Sequence, residues 1–432
     1  MASLLAGTTR EEEALAGMGR TQLSPVAAPL LTVLFLLVIL SGAAFEVAAG
    51  FRGLPNLLRG ESRLDFPSLI ELRALWRERG ALAATGAIRA ADGEAQDRFD
   101  RESRLATALR APLQGYLARR LHYGNSQVLL GDQDWLFFRD DFDYLTGPPF
   151  LAPAALARRI RGASRHRALA PDPVPAILGL AADLQARGIG FVIVPVPTKL
   201  GIAWERFVGR RVRDGQAIDN PSREEFFARL RRAGVTLFDP TPILRGMEIR
   251  EEKPYMQFDS HWSPAGIDQV AAGLSELLAS RFELGSLQRF HRKKRRFNRR
   301  ADLADLLGLD PDRNPYLIES LEIQTVDGPG TRPFSSRRGE GSVLLVGDSF
   351  SRLLIRNRRK GGDANFAAQI AFHLQRPVDM LAENDAGADF ARRVEWLRQP
   401  HKLDGRTVVI FEFAERALAL GDWTSLRLAP PG

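Results

Sequence analysis

Three side chains of this 432-residue chain have the types that acyl chemistry requires: Ser349, His261 and Asp259. Gly347-Asp348-Ser349 follows the unbroken apolar run 343–346. A tight turn after a buried strand lifts a hydroxyl to the sheet edge and leaves its backbone N–H facing a developing oxyanion. The same tripeptide is also an ordinary turn composition. A serine attacks weakly until a base takes its proton, and the base needs a carboxylate to fix its tautomer. Asp259-Ser260-His261 offers both groups. Residues two apart in an extended segment point to one side. The next residues, Trp262-Ser263-Pro264, also read as a helix start, with Ser263 as N-cap and Pro264 at the first helical position. Both readings hold together, because a capped helix would fix the preceding Asp-x-His loop.

These groups need a scaffold. Short apolar runs at 190–195, 235–238, 342–346, 378–381 and 407–411 read as strands. Helical patterns at 173–187, 222–233, 264–280, 364–376 and 388–398 lie among them. Unbroken Val/Ile/Leu runs mean strands buried on both faces, as in a parallel sheet between helices. Such sheets gather reactive groups at the carboxyl ends of their strands, where Ser349 falls.

Composition removes several chemistries. The chain has no cysteine, so disulfides, thiolate metal sites and cysteine nucleophiles are excluded. The six histidines show no helical metal-ligand spacing, and no metal or other cofactor is expected. The net charge is +8, and residues 289–300 (RFHRKKRRFNRR) hold eight Lys/Arg and no acid. One segment therefore carries the excess, which argues against a generally nucleic-acid-binding surface. That run reads first as a solvated charged loop or helix face. Its functional reading is contact with a polyanion through Arg292, Lys293, Lys294, Arg295 and Arg296, with Phe290 and Phe297 stacking on sugars.

The N-terminal part is organised differently. Residues 26–45 are 20 residues without charge, about enough for a helix to cross ~30 Å of hydrocarbon. We expect a tail over 1–25, a transmembrane anchor over 26–46 and a helical neck over 47–124, with the enzyme-like domain over 125–432. In the neck, Leu69, Leu72 and Trp76 share one helical face. The small residues Gly42, Ala43 and Ala44 keep a cleaved signal peptide open. Flanking arginines give no clear orientation.

Taken together, Asp259-Ser-His-Trp-Ser-x-x-Gly266 and Gly347-Asp-Ser-Phe350 resemble the SGNH-hydrolase-like acetyltransferases of the AlgJ/AlgX type, which act in alginate O-acetylation. Gly131-Asp-Gln-Asp-Trp135-Leu-Phe, Val194-Pro-Val-Pro-Thr-Lys199 and Val409-Ile-Phe-Glu412-Phe-Ala-Glu-Arg416 are similar to further stretches of that family, although Asp134 replaces a family glycine. The resemblance covers roughly 125–420. It implies an α/β SGNH-hydrolase-like domain with a mostly parallel sheet, outside the cytoplasm behind a single inner-membrane helix. It implies Ser349 as nucleophile, His261 as general base and acid, and Asp259 as the orienting carboxylate. Asn384 is an oxyanion donor by looser analogy. Lys199 is either an active-site or a surface residue, and Glu412 and Arg416, four apart, suit a salt bridge. Trp135 and Trp262 read as core aromatics.

The function so implied is transfer of acetyl groups onto hydroxyls of an exported polysaccharide, in the periplasm, beside a multi-pass membrane acyltransferase that supplies them. A carbohydrate esterase with the same triad, a non-catalytic polysaccharide-binding component of an export complex, and a nucleic-acid binder using 289–300 are the competing readings. No nucleic-acid partner is expected.

Overall fold

The computed structural model describes residues 29–37, 41, 104–162, 169–210, 215–336, 339, 341–355, 362–383 and 389–428. The chain divides after Pro112 into two units. In the first, residues 29–37 form an exposed helical stretch inside the expected anchor. The rest of 26–46, apart from Ser41, and all of 47–103 lie outside the described residues. Among the described residues, no helix is long and apolar enough to cross a membrane.

Among the described residues of the second unit, residues 113–432, there are nine strands: β1 (Val128–Leu130), β2 (Leu136–Phe138), β3 (Gly190–Val196), β4 (Thr236–Leu237), β5 (His291–Arg300), β6 (Ile318–Asp327), β7 (Val343–Gly347), β8 (Val378–Ala382) and β9 (Val408–Ala414). Five of them make one parallel sheet in the order β4-β3-β9-β7-β8. All five expected strands are present, and the helical patterns become the helices Pro173–Gln185, Arg223–Arg232, Pro264–Arg281, Phe366–Leu374 and Phe390–Arg398.

The sheet is buried on both faces, which is why its strands are apolar throughout rather than alternating. Val192, Val194, Leu345 and Ile410 face a core shared with Val270 and Leu274 of Pro264–Arg281 and with Ile370 of Phe366–Leu374. Ile193, Leu344, Val346 and Val409 face the opposite core, built with Ile177, Phe226 and Val394. Successive residues of one strand thus feed two cores, as the two-residue pleat requires. The short β1–β2 hairpin packs with Leu303, Ala304 and Leu307 in a smaller third cluster.

The basic run is neither a loop nor a helix face. Residues 291–300 are the strand β5, fully paired and antiparallel with β6, Arg299 opposite Glu319 and Arg292 opposite Val326. Its sequence hides this because Lys and Arg occupy both faces, so no apolar alternation marks a strand. The partner β6 contributes the apolar side chains, with Ile323 and Val326 fully buried.

The helix Pro264–Arg281 starts as expected. Ser263 Oγ accepts from the Gly266 N–H at 3.0 Å and donates to the Lys253 carbonyl at 2.5 Å. Replacing Ser263 by Ala removes both bonds. A stability loss of about 1–2 kcal/mol is expected, read as a lowered urea midpoint with an unchanged m-value.

Candidate active site

Ser349 and His261 reach each other from opposite directions in the chain. Strand β7 ends at Gly347, and the turn opens the short helix Ser349–Arg352, capped by Asp348, whose Oδ1 accepts from the Phe350 N–H at 2.9 Å. The other Asp348 oxygen accepts from the Ala414 N–H at 3.0 Å, at the end of β9. The turn is therefore tied to the rim of the central strands. A Cβ on Gly347 would lie 2.2 Å from Ser351 Oγ and 2.6 Å from Glu412 Oε2, so only glycine fits there. The amide of Ser349 is at the first position of its helix, where no intrahelical acceptor exists, and Asp348 caps Phe350 instead.

The histidine loop is equally fixed. Tyr255 and Trp262 bridge across it, and the Met256 N–H donates to the His261 carbonyl at 3.1 Å. Trp262 is fully buried and its Nε1–H donates to the Phe350 carbonyl at 3.1 Å, joining the two loops. Trp135 is also buried, so both tryptophans are core residues.

The result is a relay. Ser349 Oγ lies 2.8 Å from His261 Nε2, and His261 Nδ1 lies 2.7 Å from Asp259 Oδ1. The three side chains that the sequence singled out, separated by up to 90 positions in the chain, do come together. Asp259 is fully buried. Its Oδ1 also accepts from the His261 N–H at 3.1 Å, and its Oδ2 accepts from Arg299 Nε at 2.8 Å and the Asp302 N–H at 3.3 Å. Burial alone would raise the Asp259 pKa, but the His261 and Arg299 contacts hold it below the usual carboxylate range. Burial likewise works against a charged His261, and Asp259 together with Asp302 overrides it, taking the ring up to about 9.

Lys199 is not a surface residue. It is fully buried, and its Nζ donates to the carbonyls of Leu136, Gln257 and Asp259 at 2.5, 2.9 and 3.0 Å. Burial lowers its pKa to about 8, against the pull of nearby acids led by Glu319. Glu412 and Arg416 do not pair with each other. Glu412 accepts from the Asp348 N–H and from Ser351 Oγ, at 3.1 and 2.5 Å, while Arg416 binds Asp141 at 3.1 Å. Burial, then Asp348, pushes the Glu412 carboxyl well above its ordinary range. Asn384 lies outside the described residues.

The polyanion candidates are mostly neutralised. Arg292 pairs with Asp268, Lys293 with Asp327 at 2.7 Å and Lys294 with Glu322 at 2.9 Å. Arg295 and Arg296 are exposed. Phe290 is not available for sugar stacking, because it is buried edge-on against Phe334 with centroids 5.6 Å apart.

Sequence reasoning missed two members of the site. Arg299 sat inside a run that read as undifferentiated charge. Asp302 follows it by three residues and brings Oδ2 to 3.3 Å from His261 Nδ1. Asp259, His261 and Asp302 are the described residues whose ligand atoms lie close enough to hold a metal ion, yet Asp259 and His261 already bond each other. The serine and histidine line a cavity of about 820 Å³, with Leu306, Leu353, Leu354 and Leu420 as apolar wall and Arg299, Asp302, Arg352 and Arg416 as polar wall.

Two tests follow from this geometry. Lys199→Met leaves three buried carbonyls without their donor. A loss of about 3 kcal/mol or more is expected, read by denaturant unfolding. The folded protein also holds the His261 proton more tightly than an unfolded chain, whose histidine titrates near about 6.5. Stability from this proton is full below that value and is lost as the pH rises to about 9. The urea midpoint is expected to fall between pH 6 and 9, and to fall less in His261→Gln.

Similarity to known proteins agrees with the fold. Residues 128–415 match the family "SGNH hydrolase-like domain, acetyltransferase AlgX". A probable alginate O-acetylase AlgJ of Pseudomonas aeruginosa is 27% identical over 335 residues, covering 74% of this chain and 78% of its own length. The corresponding protein of Pseudomonas putida is 24% identical over 302 residues, covering 69% and 71%. Among solved structures, the O-acetyltransferase domain of P. putida AlgJ superposes with a TM-score of 0.52 at 22% identity, covering 68% of this chain and 93% of that domain. The family match spans more than half of the chain and includes every residue of the relay, so this chain belongs to the SGNH hydrolase-like, AlgX-type acetyltransferase family.

Proposed function

We propose that this protein is an O-acetyltransferase that moves acetyl groups onto hydroxyls of an exported polysaccharide through an acetyl-Ser349 intermediate. The observation that carries the reading is the continuous Ser349–His261–Asp259 hydrogen-bond chain, opening into a cavity at the carboxyl rim of a parallel sheet. The names of the relatives, alginate O-acetylases, supply the acceptor class.

The chemistry follows from the geometry. Neutral His261 takes the Ser349 proton at Nε2 while Oγ attacks the acetyl carbonyl carbon of a donor. The negative charge moves to the carbonyl oxygen, which faces the Ser349 N–H at the head of its helix. Collapse expels the donor's leaving group, which takes the proton from Nε2 and leaves acetyl-Ser349. A sugar hydroxyl then gives its proton to Nε2 and attacks the ester. Collapse returns the proton to Ser349 Oγ and releases the acetylated sugar. Asp259 stays ionised throughout and stabilises the imidazolium. Transfer outruns hydrolysis only when the acceptor sugar displaces water from the acetyl-serine, in the cavity that Leu353, Leu354 and Leu420 line beside Ser349.

In this reading the acetyl donor is supplied by a multi-pass membrane acyltransferase, and the protein works in the periplasm behind an inner-membrane anchor. An apolar stretch at 26–45 supports the placement. The test is direct. The full chain incubated with an activated acetyl ester and an oligosaccharide should yield acetylated sugar, and mass spectrometry should find the acetyl group on the peptide holding Ser349. Ser349→Ala should lower the rate by about 10⁶-fold. Release of free acetate alone, with the sugar unmodified, would make the protein an esterase instead.

A further inference from the structure

Asp259 is not a free carboxylate. Its Oδ2 takes the Arg299 Nε–H at 2.8 Å, with Asp259 wholly buried and Arg299 only one-quarter exposed. A carboxylate held in an ion pair this close has part of its field cancelled at the imidazole on its other side. Asp302 stands where a replacement charge is needed. Its Oδ2 lies 3.3 Å from His261 Nδ1 and 2.5 Å from Ser260 Oγ. Its Oδ1 accepts from the N–H groups of Ser260 and Leu303 at 2.7 and 2.6 Å. Asp302 therefore grips the residue between Asp259 and His261 by both backbone and side chain. It also differs from Asp259 in exposure, since its side chain is 32% accessible and lines the cavity.

We propose that Asp302 is a positioning residue that shares the His261 Nδ1 proton with Asp259 and replaces the charge that Arg299 cancels. This rests on the acetyl-transfer reading only for its catalytic consequence. Two carboxylates and one guanidinium carry a net charge of one negative unit while the ring is neutral. That charge reaches zero when the ring takes the serine proton. A lone aspartate would give the same balance, but here half of it is placed where solvent and substrate reach it.

Other charges around the ring do not displace this pair. On the loop side, Lys199 holds the Asp259 carbonyl. Across the cavity stand Arg352 of the serine helix and Arg416 after β9. Asp140 and Asp305 are on the cavity wall. Glu319 on β6 accepts from the Gln257 and Phe258 N–H groups. Asp259 and Asp302 are the carboxylates that approach Nδ1 itself.

The signs of two substitutions separate this role from a merely structural one. The His261 ring is titrated by NMR in the full chain, a measurement that needs no catalysis. Asp302→Asn should lower its midpoint by about one unit, because an opposite charge is lost within ~4 Å. Arg299→Met should raise it, because Asp259 regains its full field. Asp302→Ser, which keeps a small acceptor for the Ser260 N–H, should match Asp302→Asn and covers the case in which the amide variant does not fold. The acidic limb of the kcat/KM profile for an activated acetyl ester should move in the same directions. A midpoint in Asp302→Asn or Asp302→Ser at or above that of the native chain would overturn the proposal, as would a downward shift in Arg299→Met. If no acetyl-Ser349 forms in the native chain, the acetyl-transfer reading fails while the ring titration still decides the role of Asp302.

Discussion

The buried charge of Asp259 is the constraint on which the site depends. An ionised carboxylate away from water is stable only if it is paired and fully hydrogen-bonded. Here four donors meet its two oxygens: the His261 ring and amide, Arg299 and the Asp302 amide. Each donor comes with a structural obligation. The ring is held in one tautomer, β5 must reach the loop, and the helix Asp302–Leu306 must start beside it. Lys199 fixes the same residue from behind through its carbonyl.

This explains why a strand rich in Lys and Arg, with none of its residues buried, is built into the enzyme-like domain. The β5–β6 hairpin is held partly by charge. Arg292, Lys293, Lys294, Arg299 and Arg300 each meet an acid, at Asp268, Asp327, Glu322, Asp259 and Asp305. Exposed pairs of this kind add little stability individually. The Arg299 pair is different, because Asp259 has no water to fall back on. The segment's net basicity was therefore a poor guide to its role. What mattered was which side chain of the alternation pointed at the site.

The serine side follows a parallel logic around two buried carboxyl side chains and the buried Arg393, whose guanidinium lies 3.5 Å from Asp348 Oδ2. Asp348 and Glu412 crowd together behind the turn, and Glu412, raised by burial, accepts from the amide of one and the hydroxyl of Ser351. The turn cannot relax without breaking these bonds. Gly347 is required because a side chain would enter that cluster. Rigidity on both sides places Oγ and Nε2 in hydrogen-bond range before any substrate arrives, which is the preorganisation that acyl transfer exploits.

The sequence by itself determined the parallel sheet, its flanking helices and the three side chains that meet in the hydrogen-bonded relay. Those features are local: unbroken apolar runs report burial on both faces, and turn and cap residues announce where strands end and helices begin. It also determined that Ser263 caps the helix behind His261, since capping is settled within four residues. Only the tertiary structure decided the partners of charged residues. Lys199 read as site or surface and proved to be a buried clamp. Glu412 and Arg416, four apart, would pair on a helix, but Glu412 lies in the extended β9 and accepts from the Asp348 amide and the Ser351 hydroxyl, while Arg416, past the strand end, pairs with Asp141. Arg299 and Asp302 joined the site because a hairpin folded back over the loop at Asp259. Charge has no periodicity that names its partner, and long-range pairing appears only once the chain has closed on itself.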